Sequence, residues 1–302
     1  MNRVLPAVAL AVLLAPCTGG AQPSAPVVSP TVTGTLLRHA NFPSASVRPR
    51  NVDVWLPHGY GSDGTRRYPV LYMHDGQNLF DSSTTGMGNP DWGVDETLTR
   101  LIAVGAVEPA IVVGVWNVPE RRAEYEPQVL TPFLPDSVLR WIDTAKHGPP
   151  FSDRYLRFLV TELKPFIDRT YRTLLEPAHT SIMGSSMGGL VSLYALCEYP
   201  QVFGAAAGVS THWPAGVGAM REYLERRLPH AGSHRIYYDY GTLGLDAAYE
   251  PYQVKIDSMM HGKGYRQSRD WATLKFAGAD HNERAWRERL HLPLLFLLGT
   301  HR

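Results

Sequence analysis

Thr180-Ser181-Ile182-Met183-Gly184-Ser185-Ser186-Met187-Gly188-Gly189-Leu190 is the stretch on which the fold turns. Its first four residues form a short run of strand character, and the apolar run 190–199, closed by Pro200, has helical character. A strand that enters a helix through so few residues must bend sharply. The apex residue is then strained, and the positions two before and two after it are crowded together, so both must be small. With Ser186 at the apex those positions are Gly184 and Gly188; with Ser185 they are Met183 and Met187. Only the first arrangement fits. Ser186 is the expected nucleophile, and the helix start beside it supplies partial positive charge that favours an oxyanion.

Outward from this turn, short apolar strands alternate with amphipathic helices. Strands are expected at 52–56, 68–73, 110–115, 180–183, 205–209, 235–240 and 271–276. Helices are expected at 94–104, 152–171, 190–199, 251–260 and 282–298, the second of them kinked by Pro165. This alternation implies an α/β class of the α/β-hydrolase type, with a mostly parallel central sheet covered by helices on both faces. The segment 117–150, rich in Pro, Arg and aromatics, is expected to form a rim or lid.

A neutral serine hydroxyl needs a base within hydrogen-bond reach. In a fold with this turn the chain order is serine, acid, histidine, with the histidine after the last strand. Of twelve histidines, His281 in Gly278-Ala279-Asp280-His281-Asn282-Glu283 occupies that place. His212 follows an earlier strand and is expected to line the pocket; His74 precedes the loop after the 68–73 strand. The acid, which orients the imidazole, should follow the penultimate strand. Asp246 is favoured there because it lies past the turn at Gly241; Asp239, within the strand, is the alternative, and Glu250 lies further on. The oxyanion should be met by the backbone N–H of Met187 and by a second N–H from the 74–78 loop, with Gln77 first and Gly76 next.

Composition bounds the remainder. The chain has 302 residues, 44% hydrophobic and 19% charged, with a formal charge of +1 and no basic stripe, which argues against nucleic acid as a partner. Met1-Asn2-Arg3, an apolar run at 4–15 and Gly19-Gly20-Ala21 read as a secretory signal peptide over residues 1–21. That run is too short for a stable membrane span, which takes about 20 residues. Residues 22–31 are expected to be a disordered lead-in, and 32–302 one catalytic domain. Export places the protein outside the cytoplasm, secreted or periplasmic; a lipid anchor at Cys17 is the lesser alternative, since Pro16 precedes it. Cys197 is expected to be a buried core thiol, because it sits in an apolar helical run. No His-Glu-x-x-His, paired-cysteine or phosphate-loop motif occurs, so neither a metal nor a cofactor is expected.

Several stretches together carry a family likeness: His74-Asp75-Gly76-Gln77-Asn78-Leu79-Phe80-Asp81, Arg122-Ala123-Glu124-Tyr125, Gly184-Ser185-Ser186-Met187-Gly188-Gly189, the 239–253 stretch and the 278–283 loop. From about residue 50 to 299 the chain resembles the esterase D-like family of α/β-hydrolases, also named Putative esterase. That family includes feruloyl and acetylxylan esterases, siderophore trilactone esterases and mycolyltransferases. The resemblance implies Ser186, Asp246 and His281 as a triad, and Gln77 and Met187 near the oxyanion. His-Asp-Gly-Gln stands where many relatives have His-Gly-x-Gly, a departure at the second oxyanion donor. Arg122, Glu124 and Tyr125 are expected at the pocket rim or, equally, in an ion pair that holds the loop. Trp213, with Trp92, Trp116 and Tyr249, is placed to stack on a substrate or to pack. The expected substrate is a small-molecule or carbohydrate ester, cleaved through an acyl-enzyme; acyl transfer by the same triad, or a silent binding module, are the rival readings.

Overall fold

The computed structural model describes residues 25–27, 29, 31–86, 90–137, 139–140 and 148–300. The expected signal peptide lies outside these residues, as does part of the 117–150 segment.

Nine strands form one sheet in the order β1-β2-β3-β5-β4-β6-β7-β8-β9. They are β1 (Ala25–Pro26), β2 (Thr35–Phe42), β3 (Arg50–Leu56), β4 (Val70–His74), β5 (Ile111–Val115), β6 (Thr180–Ser185), β7 (Ala205–Val209), β8 (Arg235–Tyr240) and β9 (Trp271–Lys275). From β5 across to β9 every pairing is parallel, whereas β1, β2 and β3 add antiparallel strands at one edge. Within the stretch expected to be a disordered lead-in, residues 25–27 are ordered against β2. Ala25–Pro26 pairs with Leu37 and Arg38 of β2, and the Val27 N–H reaches the Leu36 carbonyl at 2.8 Å.

Helices cover both faces: α1 (Val94–Ala103), α2 (Arg121–Tyr125), α3 (Ser152–Arg157), α4 (Lys164–Thr170), α5 (Met187–Glu198), α6 (Ala219–Arg227), α7 (Glu250–Gly262), α8 (Glu283–Arg289) and α9 (His291–Leu298). Strand periodicity divides the core between them. In β4, Tyr72 belongs to the buried cluster that includes Leu159, Leu190 and Ile256 on one face, while Leu71 and Met73 belong to the cluster with Val94, Leu98 and Leu294 on the other. Both expected long helices are interrupted near a proline. Between α3 and α4 the chain widens into a π-turn, Phe158–Leu163, just before Pro165. The wider turn accommodates a ring that would clash with an α-helical carbonyl four residues back. Pro293 likewise has no N–H to continue the ladder from Arg289, and α8 ends there before α9 begins.

The register sets up the site. Ser185 at the end of β6 pairs with Val209 at the end of β7, and Val209 with Asp239 near the end of β8. Loops after β4, β6, β7, β8 and β9 therefore emerge at one edge of the sheet, where open parallel sheets place their ligands.

Candidate active site

Ser186 occupies the apex between β6 and α5, with φ +57° and ψ −120°. Its N–H donates to the Val209 carbonyl at 2.9 Å, and its own carbonyl accepts from Gly189 at 3.1 Å and His212 at 3.2 Å. These bonds hold a conformation that a non-glycine residue adopts only at a cost. The expected crowding is present: a Cβ on Gly184 would lie 2.8–2.9 Å from the backbone of Gly188. Ser185 is the last residue of β6, buried beneath the apex.

His281 lies in the loop between β9 and α8, and its Nδ1 is 2.6 Å from Asp246 Oδ1. A carboxylate only accepts, so Nδ1 carries the hydrogen, which in a neutral imidazole leaves the lone pair on Nε2. Tyr249 and Trp286 meet the imidazole edge-to-face at 5.8 and 5.1 Å. Asp246, 1% exposed, also accepts the Gly241 N–H at 2.6 Å and the Ser210 hydroxyl at 2.5 Å. Burial pushes its pKa up, but hydrogen bonds from His281, Ser210 and Gly241 outweigh it and hold the carboxyl below its usual range. The alternative acid is differently placed. Asp239 is fully buried, paired with Arg289 at 3.0 Å and bonded by Tyr237 Oη at 3.0 Å. There burial outweighs the pairing with Arg289 and raises the pKa. Ser186 and His281 face one cavity of about 370 Å³, walled also by Asp75, Asn78, Arg121 and Glu283.

After β4 the chain turns through Asp75, at φ +56°, into a 3₁₀ turn at Gly76–Asn78. Glycine is required next to it: a Cβ on Gly76 would lie 2.5–2.6 Å from the Gly114 backbone. The Asp75 carboxylate is gripped by the Arg121 guanidinium through two bonds of 2.7 Å and by Asn117 Nδ2 at 2.6 Å. Burial opposes that charge, but Arg121 and Asn117 prevail, and its pKa is lowered. Gln77 is tied into the same loop, its Oε1 accepting the Asn117 N–H at 3.2 Å and its carbonyl the Thr84 hydroxyl at 2.6 Å. Met187 is the first residue of α5, where helical N–H groups have no partner within the helix. The two expected oxyanion donors thus sit beside residues of the cavity wall, Gln77 next to Asn78 and Met187 next to Ser186.

A family model described as Putative esterase matches residues 44–297. The chain belongs to that family. Among curated proteins it is 26% identical over 166 residues to YbbA of Bacillus subtilis, an alignment covering 54% of this chain and 58% of that one. It is also 27% identical over 158 residues to an endo-1,4-β-xylanase/feruloyl esterase of Xylanibacter ruminicola, covering 51% of this chain and 18% of that one. The chain thus matches less than two thirds of the length of each of these relatives. Among solved structures, the Shigella flexneri enterobactin esterase superposes with a TM-score of 0.63 at 19% identity, over 91% of this chain and 58% of that one. A ferulic acid esterase from Anaeromyces mucronatus gives 0.60 at 18% identity, over 88% and 90%. These likenesses establish the α/β-hydrolase fold.

In this esterase-family chain two of the expected rim residues, Glu124 and Tyr125, are buried. Glu124 and Arg50 are each 1% exposed and form a forked ion pair at 2.6 and 2.7 Å, with the guanidinium over the rings of Tyr155 and Phe158. Of the two readings for that stretch, rim or ion pair, Glu124 takes the ion pair. Tyr125 is fully buried under Arg121, and its hydroxyl oxygen accepts the Asp75 N–H at 3.3 Å. Arg122 pairs with Glu126 at 3.0 Å. Trp213, 2% exposed, gives its indole N–H to Gln253 at 2.8 Å and forms the floor of a different cavity, of about 820 Å³, with Phe133, Tyr252 and Lys255. The residues that reach the Ser186 cavity instead are Arg121, Asn117, Asn78 and Glu283, with Trp92 and Trp286 beside them.

His212 follows β7 as expected and bonds the Tyr249 hydroxyl through Nδ1 at 2.7 Å. Burial lowers its pKa to about 4, and the neighbouring His281 adds to that. Cys197 is a buried free thiol, its pKa raised by burial. Among the described residues no group of three or more His, Cys, Asp or Glu side chains is arranged to hold a metal ion, and no helix is long and apolar enough to cross a membrane.

Proposed function

We propose that this chain is a carboxylic-ester hydrolase that works through an acyl-enzyme on Ser186. The observation that carries this is the shared cavity: a serine at a strained strand-to-helix apex lines the same cavity as a histidine whose Nδ1 is held by a buried carboxylate at 2.6 Å. In this reading His281 Nε2 takes the Ser186 proton as Oγ attacks the ester carbonyl carbon. The carbonyl oxygen becomes an oxyanion met by the N–H groups of Met187 and Gln77. As the tetrahedral adduct collapses, the imidazolium returns its proton to the leaving alcohol. Water, deprotonated by the same imidazole, then cleaves the acyl-enzyme. Asp246 orients the ring and stabilises its charged form.

The substrates proposed are small esters: an acylated carbohydrate, a siderophore lactone or a similar molecule. Family membership and relatives named as feruloyl and enterobactin esterases support this class. The cavity wall of carboxylate, amide and guanidinium groups suits a substrate with polar substituents. Export through residues 1–21 belongs to the same proposal; N-terminal sequencing of the mature protein from a secreting host tests it. For the mechanism, a fluorophosphonate probe should label Ser186. Absence of label, or full activity of Ser186→Ala on a p-nitrophenyl ester, refutes it; Ser185→Ala should retain substantial activity.

A further inference from the structure

Ser210 stands directly after β7 with φ +43°, a backbone conformation that glycine adopts at lower cost. It is fully buried, and its N–H is shared between the Asp239 carbonyl at 3.0 Å and Asp239 Oδ1 at 3.1 Å. Its hydroxyl oxygen has three neighbours: Trp286 Nε1 at 3.0 Å, Arg289 Nη2 at 2.8 Å and Asp246 Oδ2 at 2.5 Å. Indole and guanidinium nitrogens can only donate. The oxygen therefore accepts from both, and its single hydrogen goes to Asp246. A strained serine whose hydroxyl is committed in this way has a reason to be serine.

We propose that Ser210 is a positioning residue for the acid, and that Arg289 acts through it. The hydroxyl fixes one carboxylate oxygen of Asp246 so that the other points at His281. Arg289 supplies the charge that lets two buried carboxylates share one pocket: its Nη2 is 3.0 Å from Asp239 Oδ1 and 4.0 Å from Asp246 Oδ2. This rests on the reading of Ser186, Asp246 and His281 given above.

The charged and titratable groups around Asp246 come from several elements. His281 faces it from the loop after β9, Arg289 from α8, Asp239 from β8 and Tyr249 from the end of its own turn. His212 lies one ring further away, bonded to Tyr249, and Asp280 holds the His281 N–H at 2.7 Å. Removing either the Ser210 donor or the Arg289 cation leaves the charge of Asp246 less neutralised. The acid limb of the rate profile then moves to higher pH.

Ser210→Gly is the informative variant, because glycine relieves the φ strain while deleting the hydroxyl. On a p-nitrophenyl ester kcat should fall about 10- to 100-fold, the cost of losing a hydrogen bond to a charged group, with KM unchanged. The acid limb of kcat/KM should move to higher pH. Arg289→Lys, which keeps the charge but not the reach, should lower kcat with a smaller displacement of the limb than Arg289→Gln. Wild-type kcat and an unmoved limb in Ser210→Gly overturn the proposal, and so does a loss of thermal stability with normal activity per folded molecule. If Ser210→Gly does not fold, an unmoved limb in both Arg289 variants has the same force. Ser186→Ala separates the two levels. An active Ser186→Ala refutes the site itself, whereas an inactive one beside a fully active Ser210→Gly refutes only the role given to Ser210.

Discussion

Gly184 and Gly188 look equivalent in the sequence, one on each side of the apex, but the structure makes them unequal. A methyl group on Gly184 would sit 2.8–2.9 Å from three backbone atoms of Gly188. Ordinary carbon contacts need about 3.5–4.0 Å, so the start of α5 would have to retreat by roughly 0.6–1 Å. Over-packing of this kind costs about 1–3 kcal/mol, and each kcal/mol lowers the melting temperature by roughly 2–4 °C in a domain of this order of size. The catalytic effect should be larger, because a displacement of about 1 Å at a reacting group can cost on the order of 100-fold in rate. A methyl group on Gly188 would instead lie 3.4 Å from His74 Cβ and 3.7 Å from Asp75 Oδ2, close to ordinary contact. Alanine there also gains up to about 1 kcal/mol of helix propensity. Gly184→Ala should therefore react with a fluorophosphonate probe about 100-fold more slowly and melt earlier, while Gly188→Ala stays near wild type in both. Equal losses in the two variants, or none in Gly184→Ala, would show that crowding under the apex is not what fixes Ser186.

Glu124→Gln leaves Arg50 buried without its counter-charge and should destabilise the fold by about 3–5 kcal/mol in urea denaturation, with KM for small esters unchanged in the folded enzyme. A raised KM with intact stability would return Glu124 to the substrate. Asp246→Asn should lower kcat by about 10³–10⁴-fold, as loss of the imidazole's orienting carboxylate does. Asp239→Asn should act mainly on stability, and the reverse ranking of the two kcat values would reassign the acid. Burial holds the His74 pKa down at about 3, with Arg121 adding to the effect and Asp75 opposing it. As pH falls below about 6.5 the unfolded chain binds a proton that the folded chain refuses, so stability present above that pH declines toward pH 3 by about 1.4 kcal/mol per unit. His74→Gln should flatten that slope by one proton, leaving the similar slope from His212, which ends near pH 4; an unchanged slope between pH 6.5 and 4 would show that His74 is not held neutral.

What was legible in the chain was what local pattern determines. The apex at Ser186 follows from two glycines and a change of period. The place of His281 follows from strand order, because the register of β6 through β9 brings their ends to one edge. The side chains that line the cavity depend instead on the phase of short elements. α2 has only five residues, and its rotation sends Arg121 to Asp75 and Arg122 to Glu126. No periodicity can be read in so short a helix, so the sequence does not distinguish Arg121 from Arg122 as the residue that lines the cavity. Glu124 and Tyr125 are buried because α2 packs between α3 and the start of the 74–78 loop, a tertiary contact with no local signal. Backbone strain was legible at the Ser186 apex but hidden at Asp75 and Ser210. Of five non-glycine residues at positive φ among those described, Asp75, Ser186 and Ser210 all lie at this one edge.

These strained residues bear on how the base is held. The loop that carries His281 is tied at both ends. On one side the Thr242 and Leu243 N–H groups reach the Ala279 carbonyl at 2.9 and 3.0 Å, and Thr242 Oγ1 accepts from Gly278 at 2.8 Å. On the other, Asn282 caps α8 through the Ala285 N–H at 3.0 Å, and Arg287 ties α8 to Asp91 and Glu96 across the molecule. Within the same helix Trp286 closes over the imidazole, and Arg289 reaches back to the pocket of the acid. An imidazole fixed by its carboxylate, two ring edges and both ends of its loop has lost its orientational freedom on folding. In the proposed mechanism little ordering of the base is then left to contribute to the barrier to proton transfer from Ser186.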